Sequence, residues 1–303
     1  MPIRTGYATI ANRAIYPILR RLSYVSFRIK FVTAVFFLTL ASGFSAHGQE
    51  TPKKDAKKPK PTPTPTALSA VALKDAAKNP TAEQLAETAI FVYSLGGGCV
   101  TLNQIRKTGI EHGKVSVANA QGKMEQAAYR RFTTRGETIS KDKIRLDQEF
   151  PSASYSLVFA DEKIFGIFKD AVFTPRDDAS RAFHNQIVYG IETLLRYKEN
   201  ESKLELVGKD KLGGVEMQIL DVTDKENRKT RFYLSAKSFR VLMLSYEDEG
   251  TKYRRKFYDY NVAQGTLVPF RNVLFAGDKI VEETDVGTMT YGQKIDDAVY
   301  AAN

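Results

Sequence analysis

The chain has 303 residues, with 45 Lys and Arg against 35 Asp and Glu and a single cysteine. Residues 81–303 hold 32 basic and 32 acidic side chains, so the excess charge is N-terminal and a nucleic-acid footprint over the folded part is excluded. One cysteine excludes an intrachain disulfide, which leaves the hydrophobic core to hold the fold.

Residues 1–48 carry Arg4, Arg13, Arg20, Arg21, Arg28 and Lys30, no Asp or Glu, and an apolar run from Phe31 to Ala46. With Ala46 and Gly48 as the small residues of a cleavage site, this is the order of a secretory signal peptide, and Gln49 becomes the first mature residue. The run is shorter than the roughly 20 residues of a spanning helix, so cleavage is expected, with an uncleaved inner-membrane anchor as the alternative. Either places the rest of the chain in the periplasm. Residues 49–78 read as a Lys/Pro/Thr-rich flexible tether, because 50–67 contain no aromatic or branched aliphatic residue to bury.

A single β-rich domain is expected over 79–303. Asn79-Pro80-Thr81 opens a helix, Gln84 completes a capping box, Leu85, Ala89, Val92 and Tyr93 share a face, and Gly96-Gly97-Gly98 is its stop. Five β-type runs follow at 108–118, 124–135, 143–150, 155–160 and 164–169. Thr174-Pro175 opens a second helix to about 198, with an apolar stripe of Phe183, Ile187, Ile191, Leu194 and Leu195. Further runs lie at 203–207, 215–223, 229–235, 240–247, 251–262, 266–276 and 279–291, with hairpin turns at Asp248-Glu249-Gly250 and Gly277-Asp278. Short links make the sheet antiparallel. Val241-Leu242-Met243-Leu244 and Val273-Leu274-Phe275 are apolar on both faces, so something must cover each side there: helices on one, and a bound apolar ligand or the sheet's curvature on the other.

Phe232-Tyr233-Leu234-Ser235 with Ser238, Asp259-Tyr260 with Gly265 and Val268-Pro269, and Ile295-Asp296-Asp297 before Tyr300 form one set of segments. With Gly97-Gly98 before Leu102, and Phe159-Ala160-Asp161-Glu162-Lys163 before Phe165, the chain resembles a divergent LolA/LolB-like outer-membrane lipoprotein-sorting protein over residues 82–300. Ser235, Asn261 and Phe165 stand where that family's pattern has Asp, Arg and Trp. The resemblance implies a mainly β (α+β) fold, a curved antiparallel sheet or open β half-barrel of about eleven strands with helices covering its concave face. It further implies that this apolar face takes a lipid, acyl chain or lipoprotein segment. The candidate lining is Phe159, Phe168, Phe183, Ile187, Ile191, Leu194, Met243, Phe257 and Phe270, with the second helix as a lid.

Catalytic chemistry finds little support. Past the leader there are His112, His184 and Cys99, without a local nucleophile signature, and no G-x-S-x-G elbow. Gly96-Gly97-Gly98 lacks the ending of a phosphate loop, and Glu247-Asp248-Glu249-Gly250 lacks the alternating ligands of a calcium loop. Glu282, Glu283, Asp285, Asp296 and Asp297 have no metal-ligand spacing and read as solvated faces. Arg130-Arg131 and Arg254-Arg255-Lys256 read as edge-strand charges that discourage sheet-to-sheet association, or secondarily as contacts to anionic headgroups. No catalytic residue, metal or cofactor is expected. The leading reading is an exported, monomeric, non-enzymatic binding protein whose partners are lipid or lipoprotein acyl chains, with peripheral membrane contact. An envelope protein-binding module is the alternative, and a hydrolase using Cys99 and a histidine comes third.

Overall fold

A computed structural model describes residues 80–119, 121–169 and 171–301; the signal or anchor expected at 1–48 and the tether at 49–78 lie outside the described residues. Helix α1 (Ala82–Tyr93) starts at the expected capping box: Thr81 Oγ1 accepts from Gln84 N–H at 3.2 Å, and Thr81 N–H donates to Gln84 Oε1 at 2.9 Å. The glycine run is an elbow and not only a stop. Gly96, at φ +97°, donates back to the Phe91 carbonyl, and Ser94 Oγ accepts from Gly98 N–H at 2.7 Å. A second helix, α2 (Gly98–Ile105), therefore leaves at 46°. No single helix among the described residues is long and apolar enough to cross a membrane.

Six antiparallel strands follow: β1 (Thr108–Ala118), β2 (Met124–Thr134), β3 (Lys143–Glu149), β4 (Ser154–Ala160), β5 (Lys163–Phe168) and β6 (Ala171–Phe173). Helix α3 (Asp177–Val188) and the single turn α4 (Glu192–Leu195) then lead to β7 (Lys203–Leu212), β8 (Val215–Thr223) and β9 (Lys229–Ser235). The last four strands are β10 (Val241–Asp248), β11 (Thr251–Ala263), β12 (Thr266–Ala276) and β13 (Lys279–Tyr291). Within β1–β6 and within β7–β13 each strand pairs with its sequence neighbours, and β1 pairs with β13, so one open antiparallel sheet of 13 strands runs from β6 at one edge to β7 at the other. Glu249-Gly250 turns with both residues at positive φ, and Gly277-Asp278 with only Gly277 so, matching the twist that two-residue hairpins need.

The predicted second helix is two pieces. Tyr189-Gly190-Ile191 interrupts it, and Thr193 Oγ1 bonds the Val188 carbonyl at 3.0 Å, capping a group the break would leave open. Phe183, Ile187 and Val188 of α3 and Leu194 and Leu195 of α4 join one core with Leu85, Ala89 and Tyr93 of α1 and the concave face of the sheet. Tyr189 stacks on Tyr246, with ring centroids 4.1 Å apart, and Tyr246 on Tyr253 at 5.0 Å, fixing the end of α3 to β10 and β11. Tyr260 OH donates to the Val241 carbonyl at 2.6 Å and meets Tyr93 OH at 2.8 Å, which docks α1.

The two-sided apolar strands have a local cause. Pairing slips between Val241 and Met243 in β10, so Val241 and Leu244 both enter the concave core; β12 slips likewise between Leu274 and Phe275. On the convex side of β2–β5, Phe132, Val158 and Ile167 are covered by the C-terminal segment through Ile295, Val299 and Tyr300. Tyr300 OH meets Thr134 Oγ1 at 2.8 Å, and Arg145 Nη1 donates to the Val299 carbonyl at 3.0 Å.

Candidate functional site

Helices α3 and α4 roof the middle of the sheet without filling it. Beneath them lies a cavity of about 210 Å³ whose floor comes from β1, β2, β3, β11, β12 and β13, and which shares part of its wall with a second of about 160 Å³ toward Thr133 and Ile144. Its walls mix apolar side chains with a set of charged and polar ones that bond to each other. Arg131 of β2 donates to Gln186 Oε1 of α3; Gln186 Nε2 donates to Glu282 Oε2 of β13 at 2.8 Å; and Glu282 Oε1 takes Arg255 Nη1 of β11 at 2.7 Å. Burial alone would push Glu282 up, but Arg255, with Arg131 and the Gln186 amide, outweighs it and holds the carboxyl below its ordinary range. Tyr129 OH donates to Glu111, and burial with that neighbouring carboxylate pushes the phenol well up, so it stays a neutral donor.

A second knot closes the cavity at α4. Glu192 bonds Arg106 Nη1 at 2.7 Å and also Arg135, while Arg106 reaches Thr266 Oγ1 at 3.0 Å and the Leu267 carbonyl at 2.7 Å. The break at Gly190 makes this possible, since it sends Glu192 toward Arg106 while Gln186, a turn earlier, meets Arg131. Beyond α4, Arg196 Nη1 bonds both oxygens of Asp142 at 2.9 and 2.8 Å, and its Nη2 donates to the Gly136 carbonyl at 2.8 Å. Arg196 and Asp142 are buried, so crossing segment and β2–β3 connection are tied together.

Toward the β6 edge the chemistry changes. An open cleft of about 600 Å³ lies between the N-terminal end of α3 and β4–β6, lined by Tyr155, Leu157, Phe168, Ala171, Phe173, Pro175, Arg176, Asp178 and Ala179. Phe168 is 45% exposed and Phe173 36%. Gly166 makes this edge possible: a Cβ there would sit 2.2 Å from the Phe173 ring, which lies over the bare backbone. One pairing row joins the two regions, running Met289–Glu111–Arg131–Leu146–Leu157–Gly166–Phe173 across seven strands.

A DUF1329 family protein from Desulfovibrio piger superposes with a TM-score of 0.54 at 12% identity, over 73% of this chain and 97% of that one. A LolA superfamily protein from Nitrosomonas europaea gives 0.53 at 11% identity, over 73% and 97%. The chain has a divergent LolA-like fold. No protein-family model matches it, and no curated protein matches it in sequence.

Within this LolA-like fold the nine candidate lining residues are scattered. Phe168 lies in the apolar cleft, Ile191 and Phe257 line the larger polar cavity and Ile187 the smaller. Phe159, Phe183 and Leu194 are buried in the core, and Met243 and Phe270 line none of these spaces. Two charge readings are corrected. Arg130-Arg131 and Arg254-Arg255-Lys256 lie on β2 and β11, inside the sheet and not at its edges, and Arg131 and Arg255 face the cavity. Glu282, read as solvated, is buried against Arg255. The missed signal is parity, since Arg131 shares its face with buried Ala127 and Tyr129.

Cys99 is half-buried beside Asn103 and Glu199, and burial with the Glu199 carboxylate pushes its thiol up, away from a reactive thiolate. His112 is exposed, and burial lowers half-buried His184. Among the described residues no group of three or more His, Cys, Asp or Glu is placed to hold a metal ion.

Proposed function

We propose that this chain is an exported binding protein that shelters the apolar chain of a lipid or lipoprotein in the cleft at the β6 edge. The carrying observation is the cleft itself, about 600 Å³ with Tyr155, Leu157, Phe168 and Phe173 on the concave side. That volume lies in the range of small-molecule sites, roughly 300–1,000 Å³, and half-exposed aromatic rings facing a concavity gain by being covered. The basic and apolar leader at 1–48 supports export. The sequence resemblance to lipoprotein-sorting proteins supports the class of ligand, and the reading assigns no catalytic group.

Native mass spectrometry of the purified protein, followed by titration with an environment-sensitive apolar dye, tests it. Co-purified lipid or saturable dye binding that Phe168→Asp abolishes is the expected result. A clean mass with no dye uptake refutes the reading. A protein-binding module is favoured by one feature: β7 is a ten-residue edge strand with Leu206, Val207 and Leu212 exposed, a template onto which an extended segment can add. Pull-down from envelope extract that is lost on Val207→Lys supports that reading.

A further inference from the structure

The sheet ends at β7, whose outer side has no strand beside it among the described residues. This edge exposes Leu206, Val207 and Leu212, and Val215 beyond the turn is exposed as well. An apolar edge of ten residues is a template for further pairing, and native sheets cover such edges or blunt them with charge. Lys203, Lys209 and Lys211 discourage free chains from pairing here, but they do not bury the apolar side chains.

The direction from which the chain enters the domain supplies an occupant. The C-terminal end of α1 sits over β10–β12: Thr266 Oγ1 donates to the Tyr93 carbonyl at 2.8 Å, and Tyr93 OH meets Tyr260 OH. Its middle is held by the residues just before β7, since Glu87 accepts from Tyr197 OH at 2.8 Å and pairs with Lys198 at 2.7 Å, and the helix reaches β7 itself. The helix's 12 residues rise about 18 Å, close to four strand spacings, which carries its start from above β11 to the β7 edge. The chain therefore enters from the side of the free edge.

Outside the described residues, Ala67-Leu68-Ser69-Ala70-Val71-Ala72-Leu73 differs in composition from 50–66: it has no charge and no Pro, and it carries the branched aliphatics Leu68, Val71 and Leu73. As a strand it would span about 23 Å, the length of the exposed stretch from Leu206 to Leu212, and only residues 74–79 separate it from Pro80. We infer that Ala67–Leu73 adds to the outer edge of β7 as a further strand, covering Leu206 and Val207 and holding that edge against other chains. Leu204 packs against the core that α1 shares, whereas β7 is exposed beyond it, so the chain runs on to α1 at the Leu204 end and the added strand is antiparallel to β7. Attachment decides the occupant, since a segment joined by so short a link is present at millimolar effective concentration, which a second copy or a free peptide does not match. The inference is independent of the chain-sheltering reading and bears on the protein-binding one: a partner that adds to β7 must first displace this segment.

The test is amide hydrogen exchange read by mass spectrometry on the purified protein, with β3–β5 as the internal folding control. Peptides covering 204–212 are expected to exchange on the order of tenfold more slowly in the unaltered protein than in Val71→Pro, which removes a donor from the added strand, while β3–β5 stay unchanged. Val71→Ile, which keeps the donor and the β-branched side chain, is expected to retain the protection. Equal exchange of 204–212 in the unaltered protein and Val71→Pro overturns the inference. Protection that grows with protein concentration also overturns it and assigns the edge to a second copy. Loss of β3–β5 protection in Val71→Pro overturns it too, because the segment would then be part of the core and not an added edge strand. No ligand enters the readout, so this result and the lipid titration fail or succeed separately.

Discussion

Replacing Glu192 with Gln tests whether the turn α4 is clamped over the cavity by charge. Burial would push the Glu192 carboxyl up, but Arg135 and Arg106 outweigh it and hold it at about 2, down from an ordinary 4.5. At about 1.4 kcal/mol per pKa unit, that difference has a ceiling of about 3 kcal/mol. The side chain is 34% exposed, so solvent screening reduces the expected contribution to about 1–2 kcal/mol. In the variant Arg106 keeps Thr266 and the Leu267 carbonyl, and Arg135 keeps Asn103, so neither guanidinium is orphaned. The cost therefore stays below the 3–5 kcal/mol typical of breaking a fully buried pair. Because the folded-state value is depressed, the contribution is complete above pH 4.5 and fades as pH falls toward 2. Urea denaturation of both proteins at pH 7, 5 and 3 should show the gap at pH 7 and 5, narrowing at pH 3. A gap under about 0.5 kcal/mol at pH 7, or one of the same size at every pH, would refute the clamp.

Three further outcomes are expected. Phe183→Ala, at a position 1% exposed, should cost about 3–5 kcal/mol by denaturation, whereas Phe168→Ala, at 45% exposure, should cost under about 1 kcal/mol. Arg196→Met should lose about 3–5 kcal/mol by leaving Asp142 buried and unpaired, and adding Asp142→Leu should restore much of that loss; additive losses would contradict a coupled pair. Gly166→Ala should push the Phe173 ring off the strand and weaken apolar dye binding severalfold with little change in midpoint; unaltered dye binding would remove Phe173 from the cleft.

Most of the sheet is legible in the sequence because strand alternation and turn residues agree, as at Glu249-Gly250 and Gly277. Strand β6 is not, since three residues against Thr174-Pro175 are too few to establish a period. Helix α2 hides behind a glycine run that reads as a stop, and the break at Gly190 hides because Phe183, Ile187, Ile191 and Leu194 continue the stripe through it. The apolar cleft is legible only at Phe168. The charged floor is opaque for a different reason: the partners of Glu282 and Glu192 are Arg255, Arg106 and Arg135, brought close only by sheet register and the helix crossing.

The pairing of β1 with β13 also governs assembly. Two ribbons of neighbouring strands, β1–β6 and β7–β13, need only short-range contacts to form, but they meet at one join where Gly109 faces Tyr291. That join is a contact of very high sequence separation, whose loop-closure entropy must be met before it contributes. Every cavity wall that combines β1 or β2 with β11–β13 waits for it. A chain emerging N-terminus first would hold every residue of the apolar cleft, all within 155–179, long before β13 arrives to close the polar cavity, so the two spaces form on different schedules.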